Sequence, residues 1–552
     1  GVVVDYTEAD ARSVSLGGLD PKYTSITLDG SPIASSGLAA ASGTGANRAF
    51  EFEQISINSI EAVELSRTPQ PENPGSAMAG GLNLRSKGAF DRKGRMIGLR
   101  AGVAFNSLSG QPWKKHPGWD DEDHYRIQPN WGIDFSDVYL NNRLGVRAGY
   151  NYSYTFSEQK AEVANYAFDT NQTNNDTEIP RVTSFSFRDS PKPTIRYNGN
   201  IRLDYKISPE LWVSARAEYN RYHAKFFSRD LNFNFGTTLN APGATAANTV
   251  PGVEYSLSSQ STSPTGGSVA INQGGGATNK YGSTSNFGLS AFFTRGAFKL
   301  DVITSMSRSM TWYKDQLYGF FWSLEPAALT SLGLRFNRNG PADPALYITQ
   351  TAGADYKNLA NHPPGFNARM NDRQGEDQRY QMRADMQYAL NRFRLPLLLK
   401  GGLHVTEWVN NADRPVNSFV TAFRGADGLA NTSDDSLARY AEPSYRMNFD
   451  LGGNVDGMTN IDRWLAYKAY QANPNAWTKP SDAQVVGFKL QNARDAQEQI
   501  DALYQQTVMK FGRLTLIYGA KGPDEILFAE EMDGWKAAGM DVKLTVDRSE
   551  PG

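Results

Sequence analysis

The amino-acid sequence predicts a mainly β fold. An N-terminal domain precedes an incomplete antiparallel transmembrane β-barrel, and a short α/β fragment ends the chain. Three observations lead to this prediction: strands with one apolar and one polar face, an alternation of short turns with long polar segments, and a change of pattern after residue 518. Because a strand points successive side chains to opposite faces, strict alternation predicts a sheet with one apolar face.

Composition favours strands and turns over packed helices. The 552 residues include 51 Gly, 26 Tyr, 28 Phe and 10 Trp. Glycine suits turns, and aromatic residues suit strands. The formal net charge of −2 gives no reason to expect a nucleic-acid partner. The lack of cysteine excludes disulfides, thiolate metal sites and cysteine nucleophiles.

A membrane role would have to be that of a barrel. The sequence contains no run of roughly 18 apolar residues, the length that a membrane-spanning helix needs. Only helices and closed barrels satisfy their backbone hydrogen bonds in lipid. The chain also begins at Gly1 without a recognisable signal peptide. Either the protein stays in the cytoplasm or an N-terminal segment has been lost, and the barrel pattern favours loss.

Eleven strands are predicted between residues 96 and 518. In one of them Leu144, Val146 and Ala148 alternate with Gly145 and Arg147. The predicted strands are 96–105, 129–140, 143–155, 195–207, 211–226, 284–294, 297–312, 378–390, 394–408, 502–509 and 513–518. Most are near the roughly 9–11 residues of a tilted bilayer crossing. Large plugged barrels have about 22 strands, so the predicted strands account for about 11 of the 22 that such a barrel needs. An open half-barrel leaves strand edges unpaired, so the isolated chain is expected to aggregate or stay unfolded in detergent.

The connections between these strands alternate in length. Short turns are predicted at Asn141-Asn142, Ser208-Pro209-Glu210, Arg295-Gly296, Asn391-Arg392 and Phe511-Gly512. Long polar segments lie between them, at 106–128, 156–194, 227–283, 313–377 and 409–501. Brief periplasmic turns and long extracellular loops are typical of an outer-membrane barrel. A soluble antiparallel sandwich is the alternative, but long structureless loops are uncommon in compact domains.

Two of the long segments have a character of their own. Residues 236–285 are rich in Gly, Ser, Thr and Ala, which predicts a mobile loop. Residues 461–477 have helical spacing, which predicts a short helix that shapes the outer mouth. We expect some loop residues to contact a ligand, although the sequence does not identify them.

Three stretches before residue 89 depart from the barrel pattern. They are Gly17 to Gly30, Ile55 to Arg67 and Gly80 to Lys87. Thr24 to Leu28 is predicted as a short strand that ends in a tight Asp-Gly turn. The Gly-Gly pair at the start of the third stretch allows close approach of two backbones.

In this order, the three stretches resemble the plug domain of TonB-dependent receptors. The resemblance covers roughly residues 1–518 and implies a partial plug domain at 1–88 and a partial transmembrane barrel at 89–518. It implies energised uptake of a scarce solute, such as a siderophore, cobalamin or an oligosaccharide, across the outer membrane of a Gram-negative cell. The implied partners are outer-membrane lipid, a TonB-type energy-transducing protein and the small solute. No enzymatic activity and no cofactor are implied.

The resemblance singles out nine plug-motif residues. They are Asp29, Gly30, Glu61, Glu64, Arg67, Gly80, Gly81, Asn83 and Arg85. For the charged ones we expect structural ion pairs, because plug carboxylates in this family commonly meet arginines of the barrel wall. The sequence departs from the family in having Gly17-Gly18 where Arg-Gly is usual, and we find no TonB box. Energised transport by these 552 residues alone is therefore not expected.

The last residues follow a different pattern. An apolar strand at 514–520, a helix from Pro523 to Lys536 and a strand at 540–546 predict a βαβ unit with parallel strands. Residues 514–552 resemble the NAD-binding domain of ferredoxin reductase-like proteins, including the flavin subunits of hydrogenases, and 519–552 form the predicted fragment. A glycine-rich pyrophosphate loop is missing, so no oxidoreductase activity is implied. The alternative for the whole chain is a chimeric or misassembled reading frame joined near residues 511–518.

The sequence gives only weak signals for metal-binding or catalytic residues. His116, His124 and the acidic residues between them favour a solvated loop over a cation site. His404 and Glu407 would lie on opposite faces of a strand, which disfavours a metal pair. The sequence shows no P-loop and no supported dinucleotide-binding glycine motif. We therefore predict neither a metal site nor a catalytic residue.

Overall fold

The computed structural model describes most of the chain. The described residues are 2–7, 10–36, 49–54, 60–67, 77–90, 94–105, 115–117, 123–125, 127–167, 181–234, 254–258, 270–337, 347–390, 397–413, 420–425, 427–430, 432–449, 455–511, 514–518 and 543–544. Strands dominate these residues, and two α-helices accompany them. Within these ranges no helix is both long and apolar enough to cross a membrane.

The first six strands form two small sheets. Their bounds are β1 (Val2–Thr7), β2 (Asp10–Leu16), β3 (Thr24–Leu28), β4 (Ser31–Pro32), β5 (Ile60–Ser66) and β6 (Gly80–Ser86). β1 and β2 form an antiparallel hairpin. The other four form the small sheet, in the order β4-β3-β6-β5, with β3 and β6 parallel and β5 and β6 antiparallel.

The small sheet packs around its own apolar cluster. Alternate residues of β3 and β6 point inwards, as the period of a strand requires. The buried cluster comprises Ile26, Leu28, Ile33, Phe50, Leu82 and Leu84. The predicted strand 24–28 and the predicted last strand from Gly80 are both confirmed.

The remaining strands belong to a large sheet and to its connections. In chain order they are β7 (Met96–Phe105), β8 (Lys115–Pro117), β9 (Asp123–Tyr125), β10 (Ile127–Tyr139), β11 (Leu144–Ala167), β12 (Arg181–Lys206), β13 (Leu211–Phe227), β14 (Arg229–Asn234), β15 (Glu254–Ser258), β16 (Ala270–Gly274), β17 (Ala277–Arg295), β18 (Phe298–Lys314), β19 (Ser323–Pro326), β20 (Gly333–Asn337), β21 (Tyr347–Ala352), β22 (Phe366–Arg369), β23 (Arg373–Leu390), β24 (Leu397–Asp413), β25 (Val420–Ala422), β26 (Arg494–Phe511), β27 (Leu514–Tyr518) and β28 (Lys543–Leu544). The helices are α1 (Arg463–Ala472) and α2 (Asp482–Asn492).

All eleven strands predicted for the barrel are present in the large sheet. They run β7-β10-β11-β12-β13-β17-β18-β23-β24-β26-β27, each hydrogen-bonded to the next, and we call them the wall. Neighbouring wall strands are antiparallel. Among the described residues the sheet is open, with β7 at one edge and β28 beside β27 at the other. The predicted mainly β fold with an incomplete antiparallel barrel is confirmed.

The two faces of the wall differ in polarity. On β17, Phe287 and Leu289 are 51% and 59% exposed, whereas Thr284 and Asn286 are buried on the opposite face. The same contrast holds on β12, β23 and β24, where exposed Ile201, Met382 and Leu403 accompany buried Asn198, Asp377 and Asn410, respectively. An apolar outer face and a polar inner face are what a transmembrane barrel strand presents.

Short turns join wall strands at one end. Leu140, Asn141 and Asn142 all have positive φ in the turn between β10 and β11. Asparagine tolerates this left-handed conformation, so the Asn-Asn signal identified the turn correctly. Residues 207–210 and Gly296 form two further short connections at the same end.

The described residues at the other end of the wall form strands, small sheets and helices. β11 and β12 continue to Ala167 and from Arg181, well beyond the strand ends that the sequence predicted. Small sheets β15-β20-β21 and β19-β22-β25 form within the long connections. The predicted helix within 461–477 is confirmed as α1.

Two features of this end bear on the prediction. Of the segment 236–285, the structure describes residues 254–258 and 270–285, which are mainly β-strand, in β15, β16 and β17, and the rest of the predicted mobile loop lies outside the described residues. The long connections are also less polar than expected, because they enclose two apolar clusters. The first includes Phe185, Phe187, Leu231, Phe233, Leu332, Ile348 and Phe449, and the second includes Phe321, Leu324, Phe366, Leu437, Tyr467 and Trp477.

The end of the chain contains one parallel strand pair. Ile517 pairs with Lys543 and Tyr518 with Leu544, both in parallel register. Parallel pairing is what the predicted βαβ unit requires. The predicted helix at 523–536 lies outside the described residues.

Candidate functional site

The Asp-Gly turn of the small sheet is held from within the sheet. Asp29 and Gly30 both have positive φ, +49° and +78°, between β3 and β4. The Asn83 side-chain oxygen accepts hydrogen bonds from the Gly30 N–H at 2.9 Å and from the Thr27 hydroxyl at 3.0 Å. The turn therefore presents the Asp29 carboxylate in one direction.

That direction is towards the wall. The Asp29 carboxylate accepts a hydrogen bond from a guanidinium nitrogen of Arg216 at 2.6 Å and lies 3.8 Å from a guanidinium nitrogen of Arg202. It also accepts from the Ser86 N–H at 2.9 Å and the Ser86 hydroxyl at 2.5 Å. The Ser86 hydroxyl in turn accepts from Arg202 at 2.9 Å. One carboxylate thus joins the turn, the end of β6 and two wall strands.

A second network runs along the exposed face of the small sheet. Arg85 donates to Glu64 at 2.9 Å, and the Asn83 amide donates to the same carboxylate at 2.9 Å. These hydrogen bonds hold the pKa of Glu64 below its usual value. The Arg85 and Glu64 side chains are 59% and 51% exposed, so the pair adds little to stability.

The glycine pair sits where β5 and β6 meet. Gly80 has a φ of +105°, and a Cβ there would lie 2.2 Å from the backbone oxygen of Ser66. Gly81 pairs with Ser25 on one side and with Ser66 on the other. The close approach predicted from the sequence is therefore present, and it is most severe at Gly80.

The structure brings together seven of the nine plug-motif residues. Asp29, Gly30, Asn83, Glu64 and Arg85 form the two networks, and Gly80 and Gly81 shape the strand that carries them. Glu61 and Arg67 lie exposed on β5 and just after it, away from both networks. Sequence reasoning had not named Ser86, Arg202 or Arg216, the groups that Asp29 contacts.

A second ionic contact between the small sheet's connections and the wall was not anticipated. Glu53 lies in a short 3-10 helix, Phe52–Gln54, and its carboxylate is 2.6 Å from the Lys280 ammonium and 3.0 Å from that of Lys192. Glu51 lies 3.7 Å from Lys280 and 3.0 Å from Arg12. The four side chains of Glu51, Glu53, Lys192 and Lys280 are each less than 10% exposed.

Charge pairing decides the ionisation of Glu53. Burial alone would raise the pKa of Glu53, but the charges of Lys280 and Lys192 outweigh burial and hold that pKa well below its usual value. The carboxylate therefore stays ionised at neutral pH. Buried ions are retained in proteins when they are paired in this way.

A third contact uses hydroxyl groups. The backbone N–H groups of Ala34 and Ser36 donate to Ser307 at 2.8 Å and to Ser309 at 3.2 Å on β18. The Ser35 N–H donates at 3.3 Å to Asp377, whose carboxylate also accepts from the Trp408 indole at 2.6 Å. The chain after β4 is thus bound to the inner face of the wall by hydrogen bonds.

A cavity of about 140 Å³ adjoins the Glu53 contact. Lys192 belongs to its lining, together with Ser190, Phe226, Phe227, Thr278 and Trp322. The Lys192 ammonium lies 4.3 Å from the centre of the Phe226 ring. The lining residues come from the middle of β12, the end of β13 and the start of β17, on the side opposite the short turns. The cavity therefore lies at the loop end of the wall.

A folded segment packs against the loop end, and we call its described residues, 432–449 and 455–477, the cap. Glu442 of the cap accepts two hydrogen bonds from Arg229 at the start of β14, one of them 2.7 Å long. The Tyr445 hydroxyl donates to Asp189 of β12, and the Arg229 guanidinium stacks 3.9 Å from the Tyr445 ring centre. Burial and the Asp189 charge raise the pKa of Tyr445 far above its usual value.

The described residues offer no group of three or more His, Cys, Asp or Glu that could hold a metal ion. The acidic residues Asp120, Asp121 and Glu122 of the cation candidate lie outside the described part of the chain. His404 contacts the Gln381 amide at 2.6 Å, and Glu407 accepts from Gln497 at 2.6 Å.

Comparison with known families identifies the N-terminal region. Residues 1–82 match the model of the TonB-dependent receptor plug domain. No curated protein matches the chain. The chain therefore carries a plug domain of the TonB-dependent receptor type, as its three motifs predicted.

Solved structures also align with most of the chain. The open form of the ferric-catecholate import receptor Fiu from E. coli K12 has 11% identity and a TM-score of 0.32, over 91% of this chain and 62% of Fiu. The siderophore receptor PirA from Acinetobacter baumannii has 10% identity and a TM-score of 0.27, over 91% of this chain and 86% of PirA. A variant of the ferric enterobactin receptor PfeA from Pseudomonas aeruginosa has 10% identity and a TM-score of 0.27, over 90% and 72%. This chain thus spans less than two thirds of the length of Fiu.

Proposed function

We propose, from the plug domain that the chain carries, that it serves in TonB-dependent uptake of a scarce solute across the outer membrane of a Gram-negative bacterium. The solute binds at the loop end, and a rearrangement of the plug lets it pass along the polar inner face of the wall. A TonB-type protein supplies the energy, and outer-membrane lipid surrounds the apolar outer face. The chain is a transporter component and not an enzyme.

One observation carries this proposal. Among the described residues, the plug is attached to the inner face of the wall by ion pairs and hydrogen bonds, at Asp29, Glu53 and residues 34–36, and its buried apolar cluster contains no wall residue. Polar contacts can be exchanged for contacts with water as the plug moves, whereas separating an apolar core would expose it. An attachment of this kind suits a plug that must leave the wall and return.

The solute belongs to one of three proposed classes: siderophores, cobalamin or oligosaccharides. The polar inner face and the aromatic cavity at the loop end are compatible with a solute that carries both polar groups and rings. The uptake experiment distinguishes these three classes of solute. The nine plug-motif residues are proposed to have structural roles in the plug, with Asp29 seating it against the wall, and not to contact the solute.

A second candidate concerns the end of the chain. The parallel pairing of β27 with β28 favours a βαβ unit, and we propose that residues 519–552 derive from a flavin- or NAD(P)-dependent reductase joined to a receptor sequence. Amplification of genomic DNA across codons 500–530 tests the join. A continuous product from a single isolate would overturn the proposal of a chimera. Receptor and reductase sequences at two separate loci would support it.

Uptake by the bacterium that carries the gene tests the main proposal. The gene is deleted, and accumulation of ⁵⁵Fe-siderophores, labelled cobalamin and labelled oligosaccharides is measured with and without a proton uncoupler. We expect the deletion to abolish energy-dependent accumulation of one class and to spare the others. Unchanged accumulation of all three classes would refute the proposal.

A further inference from the structure

The cavity at the loop end and the Glu53 contact share one residue. Lys192 lines the cavity, and its ammonium lies 3.0 Å from the plug carboxylate of Glu53. A group that enters the cavity and binds this ammonium therefore competes with the plug for the same cation. Because both contacts draw on the single charge of this ammonium, an anion in the cavity weakens its attraction to Glu53, and solute binding and plug attachment are thereby coupled.

The charges around the contact favour an anion as the competitor. Three cationic side chains, Arg12, Lys192 and Lys280, contact the two carboxylates of Glu51 and Glu53. A fourth, Arg196, donates to the backbone oxygen of Glu53 at 3.1 Å. Among the described side chains of this contact, cations thus outnumber carboxylates, in a region that water reaches poorly, where charges interact strongly.

The size and walls of the cavity favour an aromatic ring. Its volume, about 140 Å³, is close to that of an engineered protein cavity, about 150 Å³, that accepts benzene. Phe226, Phe227 and Trp322 supply aromatic walls. Aromatic rings pack favourably against one another in offset or edge-on arrangements. The hydroxyls of Ser190 and Thr278 add polar groups beside Lys192.

From this geometry we propose that the cavity binds an anionic aromatic group of the solute, a carboxylate or a phenolate on one ring, and that this anion takes Lys192 from Glu53. Binding then weakens one of the three contacts that hold the plug to the wall, because Lys280 alone remains on the Glu53 carboxylate. The inference deepens the proposed function, on which its transport consequence rests. It names the chemical class of the solute group and the contact that its arrival releases.

Benzoate is the probe, and its neutral analogue benzamide is the control ligand. Binding of ¹⁴C-labelled probes to membranes that contain the full chain is measured by equilibrium dialysis. We expect Glu53→Gln to tighten benzoate binding about tenfold, because the plug no longer competes for Lys192, and to leave benzamide binding unchanged. Lys192→Met should abolish benzoate binding. Glu376→Gln, the same change in an exposed ion pair of the wall, should alter neither.

Two results would overturn the inference. Equal tightening of benzoate and benzamide in Glu53→Gln would mean that the variant merely opens the cavity. Unchanged benzoate binding in both charge variants would mean that Lys192 is not the anion site. If Lys192→Met fails to fold, Trp322→Leu replaces it: this variant leaves the ion pairs intact and should weaken benzoate binding at least fivefold, and unchanged binding there would also overturn the inference.

The release of the plug has its own readout. We expect benzoate, but not benzamide, to accelerate backbone hydrogen exchange at residues 49–54 while leaving exchange at β3 and β6 unchanged. If deletion of the gene abolishes uptake of a solute but substitution of Lys192 or Glu53 leaves benzoate binding unchanged, only this inference is refuted. Benzoate binding that depends on Lys192, in a protein whose deletion changes no uptake, would refute the proposed function alone.

Discussion

The carboxylate of Asp29 lies 2.6 Å from a guanidinium nitrogen of Arg216, although 187 residues separate them in the chain. This contact joins the tight turn of the plug to the inner face of β13. Both side chains are largely shielded from water, with 21% and 13% of their surfaces exposed. Because Arg202 shares the same carboxylate, removal of Asp29 leaves two arginines without their common anion.

We expect Asp29→Asn to loosen the plug by roughly 3 kcal/mol, the cost of breaking a shielded ion pair from one side. Asparagine tolerates the positive φ of this position, so the loss reports the charge and not the backbone. Pulse proteolysis of membranes that contain the full chain, in increasing urea, gives the change in free energy. The matched control is Glu376→Gln, whose partner Arg308 is 45% exposed, and it should cost less than about 1 kcal/mol. Equal costs would contradict a specific role for Asp29.

We expect Gly80→Ala to disrupt the pairing of β5 with β6. The new Cβ would lie 2.2 Å from the Ser66 backbone oxygen, and the φ of +105° is strained for any other residue. Gly94→Ala is the control, because Gly94 also has positive φ but has nothing within 4 Å of the added Cβ. Gly80→Ala should cost at least about 2 kcal/mol more than Gly94→Ala. Hydrogen exchange at residues 60–66 measures how stable the pairing of β5 with β6 is. Similar protection from exchange in both variants would contradict the steric argument.

The strands and short turns could be predicted because their signals are local. A period of two along β17 separates Asn286 from Phe287, and two asparagines identify the turn after β10. Strand ends at the loop side could not be predicted. β11 and β12 continue past the membrane-length pattern, because their ends pair with each other and β12 also pairs with β14.

The candidate site was predictable only where the plug motifs lie. Asp29 and Asn83 belong to short motifs with recognisable spacing, and the structure places them together. Glu53 and Lys280 are 227 residues apart, and neither belongs to a motif. Their pairing depends on how the plug sits against the wall, which a one-dimensional pattern does not encode. The sequence offered one hint: a charged residue, Glu51, lies between the aromatic residues Phe50 and Phe52.

Acidic pH should stabilise the loop end through Asp315, which follows β18 and is fully buried. Its carboxylate accepts from the Thr278 hydroxyl at 2.7 Å and from the Asn371 N–H at 3.2 Å. Burial, opposed by the Thr278 hydrogen bond and reinforced by the charge of Asp372, raises the pKa of Asp315 to about 7. The unfolded chain has a pKa near 4, so between about pH 4 and 7 the folded state holds a proton that the unfolded state has lost.

Stability therefore falls as pH rises through this window and levels off above pH 7. From pH 8 to pH 5 we expect a gain of at most about 3 kcal/mol. Proteolysis at residues 315–372, followed at pH 5, 6, 7 and 8, measures the dependence. Asp315→Asn keeps the acceptor for Thr278 and removes the titration, so its profile should be flat by comparison. The same slope in both proteins would exclude Asp315 as its source.

The cap should depend on the buried pair of Arg229 and Glu442. The Arg229 side chain is 1% exposed, and Glu442→Gln leaves its charge buried without a carboxylate partner. We expect a loss of about 3–5 kcal/mol in the stability of the cap, seen as faster proteolysis within residues 432–477. Glu325→Gln is the control, because Glu325 and its partner Arg369 are about 40% exposed and should contribute little.

The double variant Arg229→Met with Glu442→Leu removes both charges and should recover most of the loss, since apolar groups of similar volume can replace a buried ion pair. A double variant as unstable as Glu442→Gln would instead show that the guanidinium, through its stacking on Tyr445, holds the cap independently of Glu442.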